Sequence, residues 1–332
     1  MNLKRILTYG ISLFLAVGLL WLVFKDIDLS QLAETIKKAD YRWVFVSACM
    51  TLLAHWSRAY RWKLMLQPLG YNPSAFKSTI AVLIGYLTNL VLPRAGEFAR
   101  SASLKDLENV PFEKSFGAVV AERVIDLLVL ALLIALNLLL EFDRLFAFFK
   151  DFFAEKTGAL KILSILAIVG LVVLVVGFRY LRKNDEKLQK IALYAKIREV
   201  VLGLWSGFTG IFALKNPWAF LGHTVFIWTM YYGMTYALCI ALPQTASLGP
   251  VAVLTILVMG TIGMAAPTIG GIGSYHYLVG NIVSLYGLDQ QDGITLATFL
   301  HAGPGLIFII IFGLSALLIS FFIRKNSHSS AV

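Results

Sequence analysis

The stretch that decides the fold is an apolar segment that ends in a helix breaker. Residues 78–92 read STIAVLIGYLTNLVL and run directly into Pro93-Arg94-Ala95-Gly96-Glu97, and a second, moderately apolar segment covers residues 98–107. Proline lacks a backbone donor and clashes with the preceding helical turn, while glycine permits conformations closed to other residues. The first segment is also shorter than the roughly 20 residues that cross a bilayer core as a helix. We therefore predict a hairpin of two short helices over residues 78–107, broken at Pro93 and Gly96.

A second hairpin of the same kind is predicted over residues 251–285. Its apolar first half ends in Pro267-Thr268-Ile269-Gly270-Gly271-Ile272-Gly273, and a second helical segment follows from residue 274. The breaks are expected at Pro267, Gly270, Gly271 and Gly273.

The two hairpins occupy matching positions in two halves of the chain. Pro-x-x-Gly begins at Pro93 and again at Pro267, an offset of 267 − 93 = 174 residues. The same offset carries a long helix near residue 41 onto one near residue 215, and a helix near residue 118 onto one near residue 292. Short Gly/Pro-interrupted segments in corresponding positions of two halves point to the substrate site of a transporter. We therefore predict two repeats, each consisting of a long helix, a broken hairpin and another long helix.

The composition is that of a membrane protein. Of 332 residues, 58% are apolar and 14% are charged, against roughly 25% charged in an average soluble domain, and the mean hydropathy is +0.77. These values exclude a cytosolic enzyme, a disordered tail and a secreted disulfide scaffold. The apolar runs cover residues 6–24, 43–66, 78–92, 115–140, 160–178, 218–242, 251–266 and 294–323. The expected fold class is an all-α polytopic membrane protein.

The distribution of basic residues predicts the topology. We interpret residues 6–24 as a retained membrane helix, because the run is longer than the apolar part of a signal peptide. If each hairpin returns to the side it entered, six helices span fully, with about 20 basic residues in cytoplasmic segments and about 8 outside. This layout inverts one repeat relative to the other and places both termini on the cytoplasmic side of the inner membrane. Hairpins made of two full spans give the same count, so re-entrance stays open.

The predicted division of the chain follows from this layout. Residues 1–178 hold the first helix and first repeat, residues 179–201 form a basic cytoplasmic linker, and residues 202–332 form the second repeat. The net charge of +10 then reflects topology, so we expect no nucleic-acid partner. The sequence also shows no metal-ligand spacing and no phosphate-cradling loop, so we expect no cofactor, no metal and no catalytic residue.

The most informative polar group is Glu122-Arg123-x-x-Asp126, in an otherwise apolar helix. Glu122 and Asp126 are four residues apart and share a helix face, and Arg123 is three residues from Asp126. The spacing from Lys114 places Asp126 near the middle of the bilayer, where a charge costs a few kcal/mol. The group is either a salt-bridged structural tie or a site for a lipid headgroup or ion.

The tip of the first hairpin is the expected partner of this group. Glu97 and Arg100 lie three apart on a helix whose free N–H groups suit a phosphate, and Arg94 can add a bidentate contact. Arg58 and Arg61 end the preceding helix among aromatic side chains. They are candidates for the same headgroup site or, alternatively, part of an interfacial belt of aromatic and basic residues.

A histidine in the second half raises the question of proton coupling. His301 lies within one residue of the position that matches Asp126 at the offset of 174. A titrating histidine and carboxylate in matching helices can couple protons to transport. The alternative is a histidine whose hydrogen bonds are satisfied inside the helix bundle.

Taken together, these motifs resemble a flippase-like membrane family that includes the transmembrane region of lysylphosphatidylglycerol synthase. The resemblance rests on Arg58-x-x-Arg61-Trp62, Leu92-Pro93-Arg94-Ala95-Gly96-Glu97 with Arg100, Glu122-Arg123-x-x-Asp126 and Pro267-x-x-Gly270-Gly271-x-Gly273, and it covers essentially the whole chain. It implies translocation of charged lipids between leaflets. Because the sequence ends at Val332 without a soluble aminoacyl-transfer domain, we do not expect this chain alone to lysylate lipids.

Three functional hypotheses remain open. The first is a translocase for membrane lipids with a charged, phosphate-bearing headgroup or for a lipid-linked intermediate. In it, the arginines hold the headgroup, while Glu97, Glu122 and Asp126 balance them and select a substrate cation if there is one. The second is a non-catalytic membrane partner of a lipid-modifying or glycosyl-transferring enzyme. The third is a membrane-embedded transferase that uses Glu122 or Asp126 as general base.

Overall fold

A computed structural model describes residues 29–92, 94–146, 150, 192–266 and 268–329. The predicted helices at residues 6–24 and 160–178, most of the predicted linker, Pro93 and Pro267 lie outside the described residues.

The described chain is helical, with no strand in these ranges. Its helices are α1 Leu29–Lys37, α2 Tyr41–Leu66, α3 Ala75–Val91, α4 Gly96–Glu108, α5 Phe112–Leu140, α6 Ala192–Thr209, α7 Pro217–Ala241, α8 Pro250–Ala265, α9 Ser274–Ile282, α10 Gln290–Leu300 and α11 Phe308–Ser329. A π-helical segment, His301–Ile307, joins α10 to α11. Asp40, Asn216 and Asp289 begin α2, α7 and α10 by accepting a hydrogen bond from a first-turn N–H.

Three helices of the described chain are long and apolar enough to cross a membrane. They are α5, α7 and the continuous segment Gln290–Ile323. Large apolar side chains such as Leu132 and Leu139 are exposed along α5, as expected for a surface that faces hydrocarbon. The protein is therefore an integral membrane protein. Helix α2 is long enough at 26 residues but carries Arg42, Arg58, Arg61 and Lys63, and its composition alone does not mark it as a span.

Both predicted hairpins are found as two helices around a break. In the first, α3 ends at Val91 and α4 begins at Gly96, where Asn89 accepts a hydrogen bond of 2.7 Å from the Gly96 N–H. The two helices touch so closely that a Cβ at Gly96 would overlap the carbonyl oxygen of Gly85. Only glycine permits this approach, so the backbone contact fixes the hairpin.

The break of the second hairpin depends on glycine backbone conformations. Gly270, Gly271 and Gly273 have φ of 58°, 76° and 85°, in the left-handed region that disfavours other residues. The returning helix α9 then packs against α8, where a Cβ at Gly263 would stand 2.8 Å from the Cα of Tyr275. The predicted glycine breaks therefore lie where the chain turns.

The breaks of the two hairpins touch each other. Arg94, which itself has a positive φ of 64°, donates a hydrogen bond to the carbonyl of Ala265 at the end of α8. The side chain of Leu90 lies 3.9 Å from the position of a Cβ on Gly270. Two segments 174 residues apart in sequence therefore meet at their tips.

The helix boundaries of the second half follow those of the first at the predicted offset. Adding 174 to residues 41–66 gives 215–240, and α7 covers Pro217–Ala241. Adding 174 to residues 75–91 gives 249–265, and α8 covers Pro250–Ala265. The ends of α7 and α8 therefore lie within two residues of the positions that the offset gives.

Helix α6 begins at Ala192, inside the predicted linker 179–201. It packs against α5 through a pair of glycines, since the Cα of Gly207 lies 2.9 Å from the position of a Cβ on Gly117. Contact at this distance holds the N-terminal part of α5 between α6 on one side and the first hairpin on the other.

Replacing Gly96 by alanine should destabilise the protein. The added Cβ would overlap backbone and the Asn89 side chain, and overpacking of this kind costs about 1–3 kcal/mol. Thermal unfolding of the detergent-purified protein measures the effect as a lower Tm. The control is Gly222→Ala, because nothing lies within 4 Å of a Cβ at Gly222. Equal melting temperatures for the two variants would contradict the hairpin contact.

Candidate functional site

Three helices bring arginines and carboxylates into one buried cluster. Helix α2 supplies Arg58 and Arg61, α4 supplies Arg100, and α5 supplies Glu122 and Asp126. Residues three or four apart share a helix face, so each helix presents its charges toward the other two. We call these five residues, together with Arg123, the arginine–carboxylate cluster.

The carboxylate of Glu122 is the centre of the cluster. Its Oε1 accepts hydrogen bonds from Arg58 Nη1 at 2.5 Å and from Arg123 Nη2 at 3.0 Å, while Oε2 accepts from Arg100 Nη2 at 2.8 Å. Arg61 Nη2 is 3.3 Å from Oε1. One carboxylate therefore joins α2, α4 and α5.

Asp126 extends the cluster by one turn of α5. Its Oδ1 accepts a hydrogen bond from Arg61 Nη2 at 2.7 Å, and its Oδ2 accepts one from Arg58 Nη1 at 3.1 Å. Arg123 Nη2 lies 3.6 Å from the same Oδ2. Both carboxylates are therefore paired with more than one guanidinium.

The second half of the chain closes the cluster through α7. Arg58 Nη2 donates to the Tyr231 hydroxyl at 3.0 Å, and Arg61 Nη1 donates to the Thr224 hydroxyl at 3.2 Å. On the opposite side the Arg100 guanidinium stacks on the Trp62 ring, 4.0 Å from its centroid, in a cation–π contact. The cluster therefore lies between the first repeat and α7.

The cluster is buried and carries excess positive charge. Arg61 and Glu122 are 0% exposed and Arg58 is 3% exposed, whereas the Arg123 side chain is 41% exposed. The three buried arginines and two carboxylates sum to 3 − 2 = +1, and Arg123 raises the sum to +2. Among the described residues, the Nε atoms of Arg58, Arg61, Arg100 and Arg123 have no hydrogen-bond partner. The excess positive charge would attract an additional anion.

Six of the predicted headgroup residues lie together in this cluster: Arg58, Arg61, Arg100, Glu122, Arg123 and Asp126. The interpretation of Arg58 and Arg61 as interfacial belt residues is wrong, because both are buried and ion-paired. The interfacial-belt interpretation fits the neighbouring residues better, because Trp56 is exposed and Lys63 lies over the Tyr60 ring.

The other two predicted residues lie apart from the cluster's ion pairs. Arg94 contacts the second hairpin at Ala265 instead of the Glu122 group. Glu97 is half-buried in the first turn of α4, and its carboxylate has no ion pair within the part of the chain that the structure describes. The sequence did not predict the contact of Arg94 with Ala265, because the two residues are 171 positions apart and no local pattern indicates a contact over that separation.

His301 belongs to a different group, at the second hairpin. Its Nε2 is 2.9 Å from the carbonyl oxygen of Gly270, and its ring stacks on Tyr275 at 5.2 Å and meets His276 at 5.0 Å. Asp126 is held by arginines, as described above. The proposed coupling of Asp126 and His301 therefore joins residues with separate sets of partners.

Sequence reasoning did not predict several residues around the cluster as site residues, although Trp62 belongs to the motif Arg58-x-x-Arg61-Trp62. Trp62, Thr224 and Tyr231 contact its arginines, and His55 lies one turn before Arg58 on α2. Residues 55, 58 and 62 share one face of α2, and this spacing could have identified His55 and Trp62 as neighbours of Arg58. Nothing in the local sequence of α7 indicated that Thr224 and Tyr231 face the same site.

Comparison with known families shows which family the chain belongs to. Residues 9–323 match the family described as the lysylphosphatidylglycerol synthase TM region. The chain belongs to this family. The resemblance inferred from the sequence motifs is thereby confirmed for nearly the whole chain, including the three helices that form the arginine–carboxylate cluster.

Two curated proteins are similar to parts of this family member. Glycosyltransferase AglD of Haloferax volcanii is 33% identical over 131 residues, which cover 39% of this chain and 21% of that protein. UPF0104 membrane protein MJ1595 of Methanocaldococcus jannaschii is 28% identical over 103 residues, covering 30% of this chain and 31% of that protein. The matched stretches thus span about a fifth and about a third of these relatives. No solved structure matches the chain.

Replacing Glu122 by glutamine should destabilise the protein strongly. The change leaves several buried guanidinium groups without their shared counter-ion, and breaking a buried pair in this way costs about 3–5 kcal/mol. Thermal unfolding in detergent should show a large drop in Tm. Glu141→Gln is the matched control, since Glu141 pairs with the exposed Arg144 at 3.1 Å and such pairs contribute about 0–1 kcal/mol. A Tm for Glu122→Gln equal to that of the control would refute the central role of this carboxylate.

Proposed function

We propose that the protein moves a charged, phosphate-bearing lipid or lipid-linked intermediate between the leaflets of the inner membrane. The observation that carries the proposal is the net-positive cluster buried in a membrane helix bundle beside a helix break. Ionisable groups within membrane-spanning segments are rare, because each costs several kcal/mol to place there, and they mark substrate or ion pathways. Arginine in turn suits phosphate, which it binds bidentately.

The proposal includes an architecture of two inverted repeats, and the pattern of helix contacts supports it. Helices α2, α3 and α4 correspond to α7, α8 and α9, and α5 corresponds to α10 with α11. The contacts of α3 with α4 and of α4 with α5 recur as those of α8 with α9 and of α9 with α10. The contact of α3 with α11 recurs as that of α8 with α5, and α2 packs directly against α7. In the proposed architecture a pseudo-two-fold axis would pass between α2 and α7, and these recurring contacts support it.

Helix lengths favour re-entrant hairpins in this architecture. At 1.5 Å per residue, α3 and α4 span about 26 and 20 Å, and α8 and α9 about 24 and 14 Å. All are shorter than a hydrocarbon core of about 30 Å. Hairpins that enter from opposite sides would meet near the midplane, and the contact of Arg94 with Ala265 joins their tips. In this arrangement both termini lie in the cytoplasm.

Within this scheme each part of the cluster has a physical role. The buried arginines offer a phosphate a site that replaces its water of hydration, and Glu122 and Asp126 keep those arginines in the membrane when no ligand is bound. Arg123 contacts both carboxylates and is partly exposed, so it lies where a headgroup would enter. Movement of the hairpins against α5 would then expose the cluster to one leaflet or the other.

Transport is tested with purified protein in vesicles that contain a headgroup-labelled anionic phospholipid. Arg123→Ala removes the exposed cation and Asp126→Asn removes the carboxylate charge that pairs with Arg61, so each should slow headgroup movement between leaflets by about tenfold or more. Arg144→Ala serves as control, because the exposed Arg144 pairs with Glu141 and is not part of the cluster. Unchanged rates in both cluster variants would remove the site assignment.

A second candidate is a membrane partner of a glycosyl-transferring enzyme. The partial similarity to a protein named glycosyltransferase AglD favours this alternative. Co-purification with such an enzyme, combined with no lipid movement by the pure protein, would support it. Transfer catalysed by this chain itself would instead require product formation from purified protein and a labelled lipid, and absence of product would dismiss it.

A further inference from the structure

We propose that a groove between α2 and α7, on the side of these helices that faces away from the arginine–carboxylate cluster, binds one anionic phospholipid. An acyl chain of this lipid lies in the groove, and its headgroup lies beside Lys63. The lipid stays bound and is not the one that the proposed function moves. The inference therefore goes beyond that function and does not depend on it.

The groove is an open, apolar cavity of about 340 Å³. Small-molecule sites are concave, mostly apolar and typically of about 300–1,000 Å³. Nothing lies within 4 Å of the position of a Cβ on Gly222, so the absent side chain leaves room in the cavity. The lining residues come from both helices and are Trp56, Ala219, Gly222, His223 and Phe226.

The groove and the cluster lie on different faces of the same two helices. Trp56 is two residues from Arg58, and Gly222 is two residues from Thr224. Residues two apart on a helix do not share a face. Arg58 and Thr224 take part in the contacts of the cluster, so Trp56 and Gly222 point away from it. A lipid in the groove is therefore separate from any ligand of the cluster.

The aromatic wall of the groove is held in place by contacts within the protein. The His223 ring stacks on Tyr60 with 4.7 Å between centroids, and the Trp56 ring lies 6.3 Å from His223 and 5.9 Å from Tyr60. The Ser57 hydroxyl is 2.8 Å from His223 Nδ1. A groove whose wall is already ordered loses little conformational entropy when a ligand binds.

The contact with Ser57 also leaves His223 a donor for a ligand. The Ser57 hydroxyl has no other acceptor among the described residues, so it donates to Nδ1 and the ring proton is on Nε2. In the described chain this Nε2–H has no acceptor, and His223 is only partly buried. The ester or phosphate oxygens of a phospholipid are acceptors of the required kind.

The positions of two lysines indicate that the lipid is anionic. Helices α2 and α7 are antiparallel, because the Asp40 N–H donates to the Ala241 carbonyl at one end and Ser57 contacts His223 toward the other. Lys63, near the end of α2, and Lys215, just before α7, therefore lie at the same membrane surface. Neither lysine has an ion pair among the described residues, and Lys63 Nζ lies 5.7 Å from the centroid of the Tyr60 ring. Lysines at a membrane surface attract anionic headgroups.

The rim of the groove indicates that its occupant comes from the bilayer. Leu53 lies one turn before Trp56 and is 46% exposed, and Leu221 and Val225 on α7 are exposed as well. Helix α7 is apolar enough to span the membrane. The groove therefore opens toward hydrocarbon, and an acyl chain matches that environment.

The site is tested by tryptophan quenching in vesicles. The purified full chain is reconstituted in phosphatidylethanolamine with a rising fraction of phosphatidylglycerol that carries bromine on its acyl chains. Subtracting the emission of Trp56→Phe or Trp218→Phe from that of the unsubstituted protein isolates each tryptophan. Trp218 is the control, because it is 80% exposed on α7 and does not line the groove. Quenching of Trp56 should reach half its maximum at about a fivefold lower fraction of phosphatidylglycerol, the preference that one surface lysine gives.

Two variants link this preference to the groove. Gly222→Leu places a side chain in the cavity without meeting other atoms at its Cβ, so Trp56 should lose its preference while the protein remains folded. Val225→Leu is the matched control, since residue 225 is exposed and outside the groove. Lys63→Gln should also remove the preference, because it removes the unpaired charge and leaves the aromatic wall unchanged.

Each other outcome overturns the inference. Equal quenching curves for Trp56 and Trp218 would mean that the groove holds no particular lipid. A Trp56 that no fraction of brominated lipid quenches would mean that protein, such as a second copy of this chain, covers the groove. Loss of the preference in Arg123→Ala would assign the lipid to the cluster. The proposed function is decided separately, because none of these measurements depends on movement of lipid between leaflets.

Discussion

The pairing of Glu122 with arginines from three helices is the constraint on which the rest of the structure depends. A carboxylate at 0% exposure is unfavourable unless cations and hydrogen bonds surround it. Arg58 and Arg100 come from elements separated from Glu122 by 64 and 22 residues, so satisfying one carboxylate fixes the positions of α2, α4 and α5. The first hairpin cannot shift along α5 without exposing this charge.

The two proposed repeats differ in chemistry. At the offset of 174, Arg58, Arg61 and Arg100 correspond to Tyr232, Thr235 and Ser274. The second hairpin is held instead by glycine backbones and by the contact of His301 with the Gly270 carbonyl. The buried charges of the cluster therefore come from helices of the first half of the chain, while α7 from the second half supplies neutral hydroxyl groups to the arginines.

Much of the fold could be predicted from the sequence because helix breaks and helix faces depend on residues that are close together in the chain. Helix breakers located both hairpins, and the offset of 174 predicted a helix near residue 215, where α7 begins at Pro217. The spacing of Glu122 and Asp126 indicated a shared face, and Arg100 was correctly expected beside them. The predictions that failed concerned contacts between residues far apart in the sequence. Basic and aromatic residues at the end of α2 fit an interfacial belt and a buried cluster equally well, and the contact of Arg94 with Ala265 depends on how the hairpins meet.

The cluster also has a consequence for biosynthesis. Helix α2 leaves the ribosome before α5, so Arg58 and Arg61 are made about 64 residues ahead of the carboxylates that neutralise them. Each arginine costs roughly 2.5–3.5 kcal/mol at the centre of an inserting helix, and α2 alone is not marked as a span by its composition. We therefore expect stable insertion of α2 to depend on the synthesis of α5, so that these two helices enter the bilayer cooperatively.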